Sequence, residues 1–301
     1  MNRNLKLVLF AILLLTAGAA RAERYLLVPM DLSQTNHLRA YGVAFHSLEA
    51  GEKVNWLLNF RGGSFLIEDN QRLRLDARLL GVSFEEIGEN AVAAIRQTVA
   101  QENMDEVLLE KPPRIAVYSP PHKQPWDDAV TLALTYAEVP YDVIYDVDLL
   151  SGKLNDYDWL HLHHEDFTGQ YGKFYANFGL EPWYLEQKHF HEELARELGY
   201  ENVWQLKHAV AATIRDYVEG GGFLFAMCSA TDTPDIAWAA RNTDICSEVF
   251  DGDPIDPDYR SKLDYEGCWA FENFSLVTDP IVYEHSDIDT YREATARGPE
   301  V

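Results

Sequence analysis

Two stretches of this chain gather side chains able to do chemistry. The first, Gly220-Gly221-Gly222-Phe223-Leu224-Phe225-Ala226-Met227-Cys228-Ser229-Ala230-Thr231, runs from a glycine triplet through a short apolar segment to a cysteine. A thiol lifted out on a sharp strand-to-helix turn stands beside backbone N–H groups that lower its pKa and can stabilise an oxyanion. Cys228 is therefore a candidate nucleophile for acyl transfer, with Ser229, Thr231 and Asp232 beside it as candidate ligand contacts. The competing reading makes Cys228 a small inert residue that finishes a buried strand. The second stretch is His161-Leu162-His163-His164-Glu165-Asp166. In an extended segment His161 and His163 face one side, and His164 and Asp166 the other. Two histidines and a carboxylate are a ligand set for zinc or iron. No other segment offers a completing ligand at a recognised spacing, so His163, His164 and Glu165 are read instead as lining a small-molecule pocket near Cys228, without metal or cofactor.

Other groups with chemical capacity are fewer. His122, Lys123, Trp126 and Asp127 stand in a proline-rich loop before a helix start, where an anion or carboxylate can be held. His285-Ser286-Asp287 has the spacing of a histidine next to an acid; His285 is read first as an ordinary surface residue, with a base for Cys228 as the lesser alternative. Tyr171, Phe174, Tyr175, Phe178, Trp183 and Tyr184 crowd an insertion over residues 167–204, read as packing, with a lid second.

The elements that must position these groups follow from hydrophobic spacing. Arg24 to Met30 and Val54 to Phe60 read as strands. Asp31 to Ala50 reads as a helix capped by Ser33, and Glu89 to Glu102 as another. Lys111-Pro112-Pro113 breaks the chain there. Beyond it, strands at 114–118, 141–145, 157–161 and 223–227 alternate with helices at 126–138, 206–219 and from 233. That alternation predicts an α/β fold with a parallel sheet and helices on both faces, preceded by a smaller α/β segment. In such sheets ligands bind beyond the carboxyl ends of the strands. The loops starting at Ser119, His161 and Cys228 then converge on one crevice.

Composition bounds the partners. Residues 1–22 read as a secretory leader: Arg3 and Lys6 precede an apolar run, and Ala20-Arg21-Ala22 offers a small-residue cleavage site. The mature chain is then 23–301, with an N-terminal segment over 23–110 and a second domain over 111–301. The product is expected in the periplasm or outside the cell. A net charge of −24 repels nucleic acid and anionic membranes. Three cysteines are too few for a disulfide scaffold; Cys246 with Cys268 is the expected pair, which leaves Cys228 free.

The series YDWLHLHH, then LKHAVAATIRDYVEGGGFLFAMCSAT, then Thr278-Asp279-Pro280-Ile281, resembles the trehalose-utilisation-like branch of the class I glutamine amidotransferase-like superfamily. The resemblance spans about residues 114–290 and implies a flavodoxin-like sheet ending on a nucleophile elbow at Cys228. It also implies a further strand and a histidine after residue 301. Over its whole length the chain, with PMDLSQTNHLRAYG and HLHHEDFTGQYGKFY, is similar to exported bacterial proteins commonly called asparagine synthetase B. Synthetases that use glutamine carry an N-terminal cysteine and a Ser-Gly-Gly-x-Asp-Ser loop for ATP, and neither stands here, so that activity does not carry over. The expected function is Cys228-dependent hydrolysis or transfer at an amide or ester. Its alternatives are a carbohydrate- or partner-binding module on the same fold, and a metal enzyme built on the histidine run.

Overall fold

The computed structural model describes residues 24–121 and 129–288. The expected leader at 1–22, the loop residues His122, Lys123, Trp126 and Asp127, and the end of the chain from 289 lie outside the described residues. The chain divides into two compact units, residues 1–112 with 133–139, and residues 113–132 with 140–301.

The first unit is a five-stranded sheet in the order β4-β1-β3-β2-β5, and every neighbouring pair is antiparallel. Its strands are β1 (Arg24–Val28), β2 (Val54–Leu58), β3 (Ser64–Glu68), β4 (Glu85–Gly88) and β5 (Asp105–Leu109). Helices α1 (His37–Glu49), α2 (Gln71–Leu79) and α3 (Glu89–Gln101) connect them. Three of these strands escape the periodicity reading. β3 is buried on both faces and does not alternate, while β4 and β5 are short and acidic. Helix α1 starts later than expected because Asn36, not Ser33, accepts the capping N–H of Arg39. The Ser33 hydroxyl donates to Asp31 and accepts from Arg61, so it is not available to cap a helix.

The second unit carries the predicted parallel sheet: β6 (Ile115–Tyr118), β7 (Asp142–Ile144), β8 (Trp159–Leu162) and β9 (Phe223–Ala226), in the order β7-β6-β8-β9. Helix α4 (Ala129–Tyr136) and the short α5 (Asp146–Leu150) lie between strands in sequence. α6 (Pro182–Glu197), α7 (Val203–Glu219) and α8 (Thr233–Ala239) follow. The aromatic insertion packs: Tyr171 and Tyr184 lie in the unit's main core, and Phe174, Tyr175, Phe178 and Trp183 pack against it. β9 is not a buried strand. Among the described strands it has one neighbour, and Phe223, Phe225 and Met227 stand exposed along it. None of the described helices is long and apolar enough to cross a membrane.

A buried charge pair ties α7 to the ends of β6 and β7. Lys207 Nζ lies 2.8 Å from Asp146 Oδ2, and their side chains are 5% and 0% exposed. The same ammonium donates to the hydroxyls of Tyr118 and Tyr145, and Tyr118 donates to Asp146. Burial, then the Asp146 charge, holds both phenols well above their ordinary pKa. Removing one partner of such a pair strands the other charge in the core. Lys207→Met should therefore cost about 3–5 kcal/mol in denaturant-unfolding experiments, and adding Asp146→Asn should recover part of that loss.

Candidate functional site

The C-terminal edge of the parallel sheet is where the chemistry-bearing residues meet. β9 ends at Ala226, Met227 is extended, and Cys228 then takes φ +51° at the start of a single 3-10 turn over Cys228–Thr231. An L-residue in this left-handed region costs on the order of 1–3 kcal/mol and persists only where its surroundings over-determine it. Those surroundings are explicit. Met227 N donates to Leu162 O, Ala230 N to His163 O, and the Ser229 hydroxyl to His164 O at 2.7 Å. Thr231 Oγ1 donates to Cys228 O at 2.7 Å, and Thr233 Oγ1 to the carbonyls of Glu165 and Ser229. The turn is thus sewn to the backbone of the HLHHED segment, and Cys228 is left exposed at its tip. It does not close a buried strand.

The HLHHED segment is the facing wall. His161 is fully buried within β8 and stacks on Phe225 at 5.8 Å between ring centres. His163 and His164 stack at 3.6 Å and 25°, both half-buried, beside the Cys228 turn. Glu165 folds back, and its carboxylate accepts the His163 N–H at 2.7 Å. Of the expected ligand contacts, His163, His164, Glu165 and Ser229 are half-buried at this edge and Thr231 is exposed. Asp232 departs from expectation: it is 2% exposed and lies beneath the turn. The Ser229 and Thr231 hydroxyl protons are spent on backbone carbonyls, which leaves only their oxygens to a ligand. Among the described residues, the histidine run does not gather three ligand atoms as a metal site requires.

Asp166 does something the sequence did not suggest. Its carboxylate accepts the N–H groups of Thr168, Gln170 and Gly172 and the Thr168 hydroxyl, and His285 Nε2 lies 3.4 Å away. Burial would raise its pKa, but the nearby His285 and these hydrogen bonds outweigh burial and hold the carboxyl well below the usual range. The carboxylate is the hub of a left-handed turn in which Tyr171, Gly172 and Lys173 have φ of 53°, 65° and 59°. Lys173 is 1% exposed and donates to Val277 O at 2.6 Å and Asp279 O at 3.1 Å. Burial pushes its pKa down to about 8. An antiparallel bridge between Leu276 and Ser286 delivers His285 to Asp166. His285 is accordingly buried, at 7% exposure, and not the surface residue expected.

The cysteines also differ from expectation. All three are free; the buried Cys246 thiol donates to Thr168 O, and Cys268 is directed at Asp235 O. Burial raises the Cys268 thiol to about 11 and Cys246 well above its ordinary value. His208 is a further buried group absent from the sequence reading: neither ring nitrogen has a hydrogen-bond partner, and burial pushes its pKa down to about 4.

The Asp166 hub sets a pH dependence. A carboxylate whose folded pKa is depressed stabilises the fold above its unfolded value of about 3.9 and loses that contribution as pH falls below it. Asp166→Asn should cost about 2–4 kcal/mol at pH 7 and flatten the acid limb of stability against pH, measured by denaturant titration between neutral and acid pH. Compared with protein-family models, with curated proteins and with solved structures, the chain shows no match.

Proposed function

We propose that this chain is an exported, amidotransferase-like protein whose second unit binds a small molecule at the C-terminal edge of the parallel sheet, where Cys228 attacks an amide or ester carbonyl. The observation that carries this reading is the left-handed backbone of Cys228 at a strand-to-helix transition, braced by the six hydrogen bonds described for its turn. Strain of this kind concentrates at functional sites, and a buried filler cysteine needs none of it. In sequence order the unit's strands stand 2-1-3-4, which supports a flavodoxin-like sheet with its crevice between β6 and β8, where the order reverses. Ala226 and Ala230 flank the elbow where amidotransferases carry glycine, so the cysteine itself absorbs the unusual φ.

The chemistry follows from the geometry. The thiolate adds to the carbonyl carbon, and backbone N–H groups of the turn hold the resulting oxyanion. The stacked His163 and His164 are the neighbouring bases that take the thiol proton and return it to the departing amine or alcohol. Water then hydrolyses the thioester and regenerates the thiol. Export rests on the leader read in residues 1–22. The second reading, a carbohydrate- or partner-binding module that keeps the scaffold without turnover, draws support from His285 and Asp166, a histidine–acid pair engaged in a buried turn and not in orienting a base.

Iodoacetamide separates the two. Cys228, exposed where Cys246 is buried and Cys268 half-buried, should alkylate first, and turnover should fall in step with its modification. Turnover that survives complete alkylation of Cys228 overturns the nucleophile. Turnover of activated esters such as p-nitrophenyl acetate should fall by about 10³-fold or more in Cys228→Ala, with the unfolding midpoint retained. Equal turnover in both proteins counts against catalysis and leaves the binding module.

A further inference from the structure

Outside the elbow, one other group of side chains in the second unit has ligand chemistry. A carboxylate oxygen of Asp244, one of Asp251 and the sulfur of Cys246 all lie within 4.8 Å of one another. A tetrahedral zinc with Zn–S near 2.3 Å and Zn–O near 2.0 Å holds such ligand atoms about 3.5 Å apart. The remaining distance is about one ångström, within the reach of side-chain rotation for two half-buried aspartates. Cys246 is fully buried and already engaged on one side, through Thr168 O at 3.1 Å. Asp244 Oδ1 accepts the Cys246 N–H at 2.7 Å and Asp251 Oδ1 the Asp253 N–H at 3.1 Å, which fixes both carboxylates by one oxygen.

Three acid groups alone would not make a site. The independent observation is the set of buried polar atoms with nothing to bind. Tyr171 is 5% exposed, its hydroxyl has no hydrogen-bond partner, and Lys188, which binds Phe250 O next to Asp251, lies 5.7 Å from its ring centre. Asp251 Oδ2 is likewise buried without a partner. So is Oε1 of Gln170, which is 2% exposed and binds through its amide nitrogen to the Thr168 hydroxyl. Each buried polar atom left unpaired costs about 1–3 kcal/mol, so a cluster of them beside three ligand groups marks a place built for something.

The local charge agrees. Two further acidic residues adjoin the group through their backbone: Asp256 N donates to Asp244 O and Asp253 N to Asp251 Oδ1, each at 3.1 Å. The nearby cations are Lys188, bound to Glu192 and Phe250 O, Lys173, bound to Val277 O and Asp279 O, and Lys262, paired with Asp256. All three ammonium groups are directed to those partners, which among the described residues leaves Asp244, Asp251 and Asp253 without a lysine bound to them.

We propose that Asp244, Cys246 and Asp251 bind a divalent cation of the zinc class, with the Tyr171 hydroxyl completing the shell directly or through a metal-bound water. A thiolate with carboxylates suits zinc better than magnesium or calcium, which prefer oxygen alone. On binding, the Cys246 thiol loses its proton to solvent and its sulfur turns from Thr168 O to the metal, so affinity rises with pH. The metal would clamp the segment 244–251 against the left-handed turn at 171–173. This site does not depend on the role of Cys228.

The test uses the full mature chain, purified without chelator. Elemental analysis should find about one zinc per chain, and the chelated protein titrated with Co²⁺ should develop a thiolate charge-transfer band. Cys246→Ser should abolish that band, and Asp251→Asn should weaken Co²⁺ binding by more than the roughly 10–100-fold that loss of an outer-shell partner costs. Cys228→Ser should leave both unchanged. The proposal is overturned by wild-type protein that neither carries stoichiometric zinc nor develops the band. It is equally overturned if the band persists in Cys246→Ser and vanishes in Cys228→Ser. If Cys246→Ser does not fold by circular dichroism, Asp251→Asn decides alone, and unchanged Co²⁺ affinity rejects the site.

Discussion

The C-terminal edge of the parallel sheet depends on how the chain leaves β8. After Leu162 the backbone can no longer pair as a strand, and its carbonyls at His163, His164 and Glu165 need donors. They receive them from Ala230 N and from the hydroxyls of Ser229 and Thr233. The same bonds hold Cys228 in its left-handed conformation. One exchange of hydrogen bonds thus ends one strand, terminates its neighbour and lifts the thiol clear of the surface. The two acidic residues that follow complete the exit. Glu165 folds onto the His163 N–H, and Asp166 collects the N–H groups of the next turn.

What the sequence shows of this depends on the range of the forces involved. The four parallel strands were legible because each is a compact apolar run next to a turn, and the glycine triplet marks the end of α7. The first sheet was legible only in part. β4 reads EEIG and β5 DEVLL, and both rely on cross-strand partners that no local pattern reveals. His163, His164, Glu165 and Cys228 could be assigned to one edge because topology alone carries strand ends there. The role of Asp166 could not be read, since it rests on His285, more than a hundred residues away, and on three N–H groups whose direction is set by positive φ values. Alternation would place Asp166 beside His164 as a pocket group, yet the chain has left the extended state by then, and periodicity no longer applies.

The buried groups of the second unit share a common economy. Lys207 is surrounded by one carboxylate and two phenols, and Lys173 by two carbonyls. Each cation is held where desolvation alone would disfavour it, so the surroundings supply oxygens in fixed positions. Helix α7 contributes to both layers. Lys207 faces the strand ends, and the backbone of Trp204 lies so close to Gly169 that a Cβ there would meet it at 2.8 Å. The glycine is required at that point by the approach of the helix.

The run Tyr171-Gly172-Lys173 has a consequence for the order in which the second unit assembles. Three successive residues in the left-handed region are unfavourable in an isolated chain, where two of them carry side chains that oppose it. Locally they gain only the bonds from Lys173 N to Gln170 O and from Phe174 N to Tyr171 O. The rest of the compensation comes from Asp166, from the Val277 and Asp279 carbonyls, and from the core around Tyr184, and these must already be in place. The turn is therefore a late structure, a keystone set after the arch. By the same reasoning its amides belong to the set that opens first, and hydrogen exchange at Gly172 reports on the integrity of the whole corner while the strands beneath it stay closed.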